Sequence, residues 1–340
     1  MTSQIQDILK SRILVLDGAM GTMIQRHNLT EKQYKGERFK NAEKLQKGNN
    51  DLLTLSQPKI VEQIHREYLE AGADIIETNT FNSTSISMED YGMQDYAIEM
   101  NIKSARIARK VADEFTKKTP NKPRFVAGSI GPTNKTTSMS PRVEEPMYRE
   151  VTFDDLRISY EEQIEALIDG GIDVVLFETV FDTLNAKAGL FAAQNVFRRK
   201  GIEVPIMLSV TLSDKAGRTL SGQTIEGFLT SISHIKLLSV GLNCSFGASE
   251  MKPHLKQLKR VSPVFVSAYP NAGLPNQLGD YDETPEKMAT QIKEFIDEGL
   301  VNIVGGCCGT TPQHIAKFVN LVDGVTPPTP SQASPYLHLS

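Results

Sequence analysis

The sequence predicts an α/β protein built as a single (β/α)₈ barrel, and three observations predict it. Short apolar, β-branched runs recur about eight times along the chain, each parted from the next by a longer amphipathic stretch. Three helix-to-strand junctions are near-copies: EAGADII (70–76), DGGIDVV (169–175) and DEGLVNIV (297–304). In each, a glycine can end a helix in the left-handed conformation, and an apolar strand follows at once. Regular alternation of strand and helix implies a parallel sheet, and eight such units close into a TIM barrel.

The strands are expected at 13–16, 74–78, 124–128, 173–178, 205–210, 239–242, 264–268 and 302–305. The segments between them read as helices. Val61, Ile64, Tyr68 and Leu69 share one helical face, as do Ile315, Phe318, Val319 and Val322. Thr284-Pro285 and Thr311-Pro312 each pair an N-cap with a first-turn proline, marking two helix starts. The barrel domain is expected over 1–324. From 325 to 340 the chain turns Pro-rich, with Pro327, Pro328, Pro330 and Pro335 among Ser, Thr and Gln, and reads as a linker toward further modules.

Bulk properties narrow the function classes. Hydrophobic content of 39% and charged content of 23% suit a globular protein with a real core. A net charge of −4, with no basic run carrying interleaved aromatics, gives nucleic acid no purchase. No apolar stretch is long enough to cross a membrane, and the first residues lack a signal peptide's basic end and unbroken apolar run. A cytoplasmic location is expected. Three cysteines in a chain of this size argue against a disulfide framework and leave metal binding or catalysis open.

In a βα barrel the chemistry lies at the carboxyl ends of the strands. Those ends carry Asp17-Gly18, Glu77 and Asn79, Glu178, Asn243-Cys244, Asn271 and Gly305-Gly306-Cys307-Cys308. All three cysteines therefore fall on one face, on strands six and eight, which are neighbours but one around a barrel. The functional reading is a Cys₃ zinc site, since three thiolates suit a borderline-soft ion and leave a fourth position open; the alternatives are buried thiols packed as small hydrophobes and a redox-active vicinal disulfide, which needs a strained geometry. Glycines around Cys307 and Cys308 let two adjacent residues face one ion. Asp17 and Glu178, facing a shared pocket, would suit a substrate ammonium between them. His65, His254 and His314 fall on helices without ligand spacing and read as surface or packing residues. GGCCGTT (305–311) also invites reading as a phosphate loop, but it contains no Lys and fits no phosphate-binding fingerprint.

The motifs resemble the homocysteine S-methyltransferase family, and within it the homocysteine-binding module of the cobalamin-dependent members. The carrying segments include ILVLDGAMGTMIQ (13–25), KGNNDLL (47–53), EAGADIIETNTFNST (70–84), AGSIGPTN (127–134), FETVFDTLNAKA (177–188), GLNCSFG (241–247), YPNAGLPN (269–276) and NIVGGCCGTTPQHI (302–315). They cover nearly all of 13–322. The resemblance implies Zn²⁺ on Cys244, Cys307 and Cys308, with homocysteine held through its amino group by Asp17 and Glu178. Asn243 and Asn271 flank the expected site and would orient substrate; Asn271 is also a candidate oxygen donor to zinc before substrate binds.

The implied chemistry is methyl transfer giving methionine. An alkyl thiol is mostly protonated at neutral pH and a poor nucleophile, and coordination would expel its proton. No general base is needed. In the cobalamin-dependent relatives the donor is methylcobalamin on another module, recharged from methyltetrahydrofolate. The implied partners are therefore cobalamin-binding and folate-binding modules of a longer protein, although no cobalamin signature lies within this sequence. Three alternatives stay open: a free-standing methyltransferase using S-methylmethionine or betaine, a module with a purely structural zinc, and a phosphate-binding barrel.

Overall fold

The computed structural model describes residues 2–331. Eight strands form one parallel sheet: β1 (Leu14–Val15), β2 (Ile75–Glu77), β3 (Phe125–Ile130), β4 (Val174–Val180), β5 (Ile206–Val210), β6 (Ser239–Asn243), β7 (Phe265–Tyr269) and β8 (Ile303–Val304). Their order is β1-β8-β7-β6-β5-β4-β3-β2, and a bridge between Leu16 and Ile75 brings the two ends together. All eight expected strands are present, within a few residues of their expected bounds. The three copied junctions end their helices on Gly72, Gly171 and Gly299, at φ of +103°, +97° and +61°.

Side chains alternate between two cores, as the pleat requires. Outward-facing Val15, Ile76, Val126, Val175, Leu208, Val240, Val266 and Val304 pack against the helical ring. Inward-facing Leu14, Ile75, Phe125, Val174, Met207, Phe265 and Ile303 fill the barrel. One element was not expected from the sequence. The helix Thr2–Ser11 precedes the barrel and plugs its amino-terminal end with the buried side chains of Ile5 and Leu9. The solvent-facing polar residues that keep this segment from reading as apolar are what an amphipathic plug needs.

Moving up the barrel, the inward line changes from apolar to polar within single strands. Ile75 gives way to Glu77, Ala127 to Ser129 and Leu176 to Glu178. The plugged end is thus apolar, and the carboxyl end is built for polar contact.

Residues 325–331, where the linker was expected to begin, run along the base. The Asn302 side chain donates to the Pro328 carbonyl at 2.7 Å, and the Ser331 amide donates to the Ser262 carbonyl at 2.9 Å. The rest of that stretch, 332–340, lies outside the described residues.

Candidate metal centre and substrate cavity

Each cysteine is presented by an unusual piece of backbone. Cys244 follows the last residue of β6 at φ +58°, and Ser245 follows at +61°. Both lie in the left-handed region that non-glycine residues seldom adopt, a local strain typical of functional sites. The loop after β8 is fixed by its own amides. Gly306 donates to the Asp17 carbonyl, Cys307 to the Pro270 carbonyl, Cys308 to the Asn271 side-chain oxygen, Gly309 to Thr22 and Thr310 to the Cys307 carbonyl. With these N–H groups taken by protein acceptors, the loop has none to offer a phosphate. The phosphate-loop reading loses its physical basis there.

All three cysteines are free thiols, half-buried, with sulfurs within 4.8 Å of one another. Cys244 and Cys308 stand 3.9 Å apart. Thiolates arranged tetrahedrally at about 2.3 Å from zinc lie about 3.8 Å from each other, so the trio fits that ion with little rearrangement. Among the described residues no fourth His, Cys, Asp or Glu joins them, which leaves the position an exchangeable ligand needs.

Their acidities fit the same reading. Hydrogen bonds from Cys307 and then Cys308 pull Cys244 down to about 3. The same contacts with Cys244 push Cys307 well up, and push Cys308 to about 11. Without a cation the three share one negative charge; a divalent ion allows all three to ionise.

Beside the sulfurs lies a cavity of about 660 Å³ whose wall includes Asp17, Glu77 and Glu178. Asp17 is buried; one carboxylate oxygen accepts from the Glu77 amide at 3.0 Å, while the other has no partner. Glu178 accepts from the Ser129 hydroxyl. It sits just before Thr179, a β-branched residue at φ +56°, where the β4–β5 register shifts. Such a bulge re-aims neighbouring side chains. Burial raises all three carboxyls: Asp17 and Glu77 well up, and Glu178 to about 7. Their mutual repulsion adds to the rise in Asp17 and Glu77. A substrate ammonium among them would relieve this cost.

Asn243 and Asn271, expected to flank the site, are both buried and stand behind the sulfurs. Asn243 accepts from Ser209 at 2.6 Å and Thr179 at 3.1 Å, and aims its amide at the Cys307 sulfur, 4.0 Å away. The Asn271 oxygen accepts from the Cys308 amide at 3.1 Å. Glu77 was read from the sequence only as a strand-end residue; the structure puts it into the acidic cluster. Its signal was the inward step from Ile75.

Two further residues had no signal. Tyr281, from the loop after β7, lines the cavity. Tyr68 donates to the Ala19 carbonyl at 3.0 Å and, as the alternative acceptor, approaches the Thr310 carbonyl at 3.2 Å, tying the Asp17 loop to the cysteine loop. The histidines read as packing residues behave so. His254 stacks on Phe246, and His314 contacts Thr311 and the Glu283 carbonyl. His65 is fully buried with both ring nitrogens unpartnered.

A second hollow of about 460 Å³ lies at the opposite end, lined by Leu9, Phe197, Phe265 and the prolines at 327, 328 and 330. It holds no cysteine, histidine or buried carboxylate, so the chemistry belongs to the upper cavity. Among the described residues no helix is long and apolar enough to cross a membrane.

The sequence profile of the family described as homocysteine S-methyltransferase matches residues 14–322. Among solved structures, the metallated form of the homocysteine methyltransferase MmuM from Escherichia coli is 20% identical, with a TM-score of 0.68 over 92% of this chain and 97% of that one. Its oxidized form matches with the same score and identity over 90% and 94%. At such identity these structures show a shared fold.

Proposed function

The chain belongs to the homocysteine S-methyltransferase family and is a methyltransferase, and on that premise we propose that it methylates homocysteine held beside a zinc ion on Cys244, Cys307 and Cys308. The observation that carries this reading is the open trio of sulfurs at ligand spacing, flanked by an acidic cavity. Zinc held there would supply a site where the homocysteine thiol loses its proton. Asp17, with an unpartnered buried oxygen, and Glu178 would hold the amino group, and Glu77 would add a third carboxyl to that contact. Asn243 and Asn271 would act on substrate indirectly, by orienting the cysteines. No general base is required by this scheme, because coordination to zinc would expel the thiol proton. A cytoplasmic setting is proposed with it, because three cysteines in a chain of this size are too few for a disulfide framework.

For the methyl donor, the free-standing reading has the better support. The solved homocysteine methyltransferase is matched along 94–97% of its length by this one barrel. A small onium donor such as S-methylmethionine or betaine fits that arrangement. The second reading, methylcobalamin brought by another module, draws on the motifs noted above and on exposed apolar side chains in loops at the carboxyl end. Met147, Leu220, Leu274 and Leu278 are 90%, 56%, 51% and 86% exposed, as a surface met by a bulky donor would require. Offering the zinc-loaded protein S-methylmethionine, betaine and free methylcobalamin separately, and measuring methionine, tests both. Turnover with methylcobalamin alone would overturn the free-standing reading; turnover with none would overturn the proposed activity.

A further inference from the structure

Methyl transfer needs a place for the donor as well as for the thiol, and the cavity beside the cysteines has room for both. At about 660 Å³ it lies in the range that takes a drug-sized ligand, more than one small amino acid fills. Its charge is one-sided. Five carboxyl side chains line it, those of Asp17, Asp51, Glu77, Glu178 and Asp280, against the single cation of Arg26.

Asp51 stands apart from the three carboxyls proposed to hold the homocysteine amino group. It comes from the long segment between β1 and β2 and is 3% exposed. One oxygen accepts from the Asn82 amide at 2.7 Å and from the Ser83 hydroxyl at 2.8 Å. The other accepts no hydrogen bond, and among the described residues no Lys, Arg or His pairs with this carboxylate. Burial, opposed only by those two bonds, raises its pKa to about 6. A buried carboxylate without a counter-charge is costly, and a ligand that brings a positive charge removes that cost.

The segment that grips Asp51 is itself fixed. The Gly131 amide donates to the Phe81 carbonyl at 3.0 Å, and the Phe81 ring lies where a Cβ on Gly131 would fall 2.8 Å from it. The Asn101 side chain donates to the Ser83 carbonyl at 2.7 Å. Asp51 is therefore a charge held in place on the cavity wall, as recognition without reorganisation requires.

We propose that Asp51 is a specificity-determining residue that receives the positive charge of an onium methyl donor, a sulfonium or a quaternary ammonium ion. The inference rests on the free-standing reading above and names the residue through which that donor class is chosen. In the transfer the homocysteine thiolate forms a bond to the methyl carbon, the donor's carbon–sulfur or carbon–nitrogen bond breaks, and its electron pair stays on the departing heteroatom. That atom thereby becomes neutral and its attraction to Asp51 lapses, which favours release.

Two minimal donors separate charge from shape: trimethylsulfonium, a cation, and methyl iodide, which is neutral. Each is offered with homocysteine to the zinc-loaded protein, and methionine is measured. Asp51→Asn should lower the ratio of kcat/KM for trimethylsulfonium to that for methyl iodide about tenfold, the effect of removing one nearby charge. An unchanged ratio overturns the proposal; an equal fall with both donors would mean that Asp51 only holds the 81–83 segment, and overturns it too. Wild-type protein that uses methyl iodide but not trimethylsulfonium also overturns it, and leaves the zinc and homocysteine reading intact. No methionine from either donor overturns that reading and the inference with it. A second measurement needs no variant: tetramethylammonium should inhibit wild-type turnover of trimethylsulfonium, whereas uncharged tert-butyl alcohol at the same concentration should not. Equal inhibition by the two overturns the role of charge.

Discussion

The sulfurs of Cys244 and Cys308 stand 3.9 Å apart although 64 residues separate them in sequence. Two loops from different strands meet there, and the pair would give a proposed zinc ion two of its ligands at the spacing it needs. Replacing either by Ser exchanges a thiolate for a weak hydroxyl ligand. Cys244→Ser should lower zinc affinity by more than the roughly 10- to 100-fold that loss of an outer-shell contact costs. Competition with a chromogenic chelator measures it, and wild-type zinc retention would disprove the assignment of this ligand.

Asp17→Asn keeps the shape of a buried side chain and removes its charge. A charged hydrogen bond to the substrate ammonium is worth enough to raise the KM for homocysteine about 10- to 100-fold. The comparison that isolates the effect is 4-mercaptobutyrate, which lacks the amino group. Wild type should prefer homocysteine strongly over it, and the variant should lose most of that preference. An unchanged preference would remove Asp17 from amino-group recognition.

Tyr68→Phe removes the hydroxyl that contacts the Ala19 and Thr310 carbonyls across the two loops. The expected loss is about 1 kcal/mol of stability, that of one ordinary hydrogen bond. The KM should rise a few-fold while zinc content stays at wild-type level. Urea denaturation and metal analysis check the two parts. A large fall in bound zinc would mean that Tyr68 supports the cysteines directly.

His65 gives a pH dependence with a definite sign. Burial lowers its pKa from 6.5 to about 4. The unfolded chain therefore binds a proton that the folded chain refuses between those values. Its share of stability is complete above the unfolded pKa and is lost as pH falls through this window, amounting to about 3 kcal/mol at full extent. His65→Leu forfeits no hydrogen bond, because neither ring nitrogen has a partner. It should flatten the change in urea midpoint between pH 7 and pH 5; an undiminished slope would assign the effect to other groups.

Much of the fold could be read directly because its determinants are local. Period-two apolar runs, helical faces and helix-ending glycines act within a few residues of themselves, so eight units and the barrel they close were visible in the chain. The cysteines were legible for a topological reason: once strands six and eight are assigned, barrel closure alone brings their tips to one face. The amino-terminal plug escaped because its apolar face has meaning only against the open end of a barrel.

The rest of the site depends on contacts that no spacing encodes. Glu77 belongs with Asp17 and Glu178 only because closure through Leu16 and Ile75 sets β2 beside the first loop. Tyr281 packs against the cysteine loop because Gly309 leaves room for it, and neither residue implies the other in one dimension. The left-handed backbone of Thr179 and Cys244 is imposed on residue types that do not favour it, so local propensity predicts against it. The sequence by itself determined the architecture, the face on which the three thiols meet and the family. Tertiary structure alone decided which polar groups surround those thiols, because burial and hydrogen bonding are properties of neighbours brought together from distant parts of the chain.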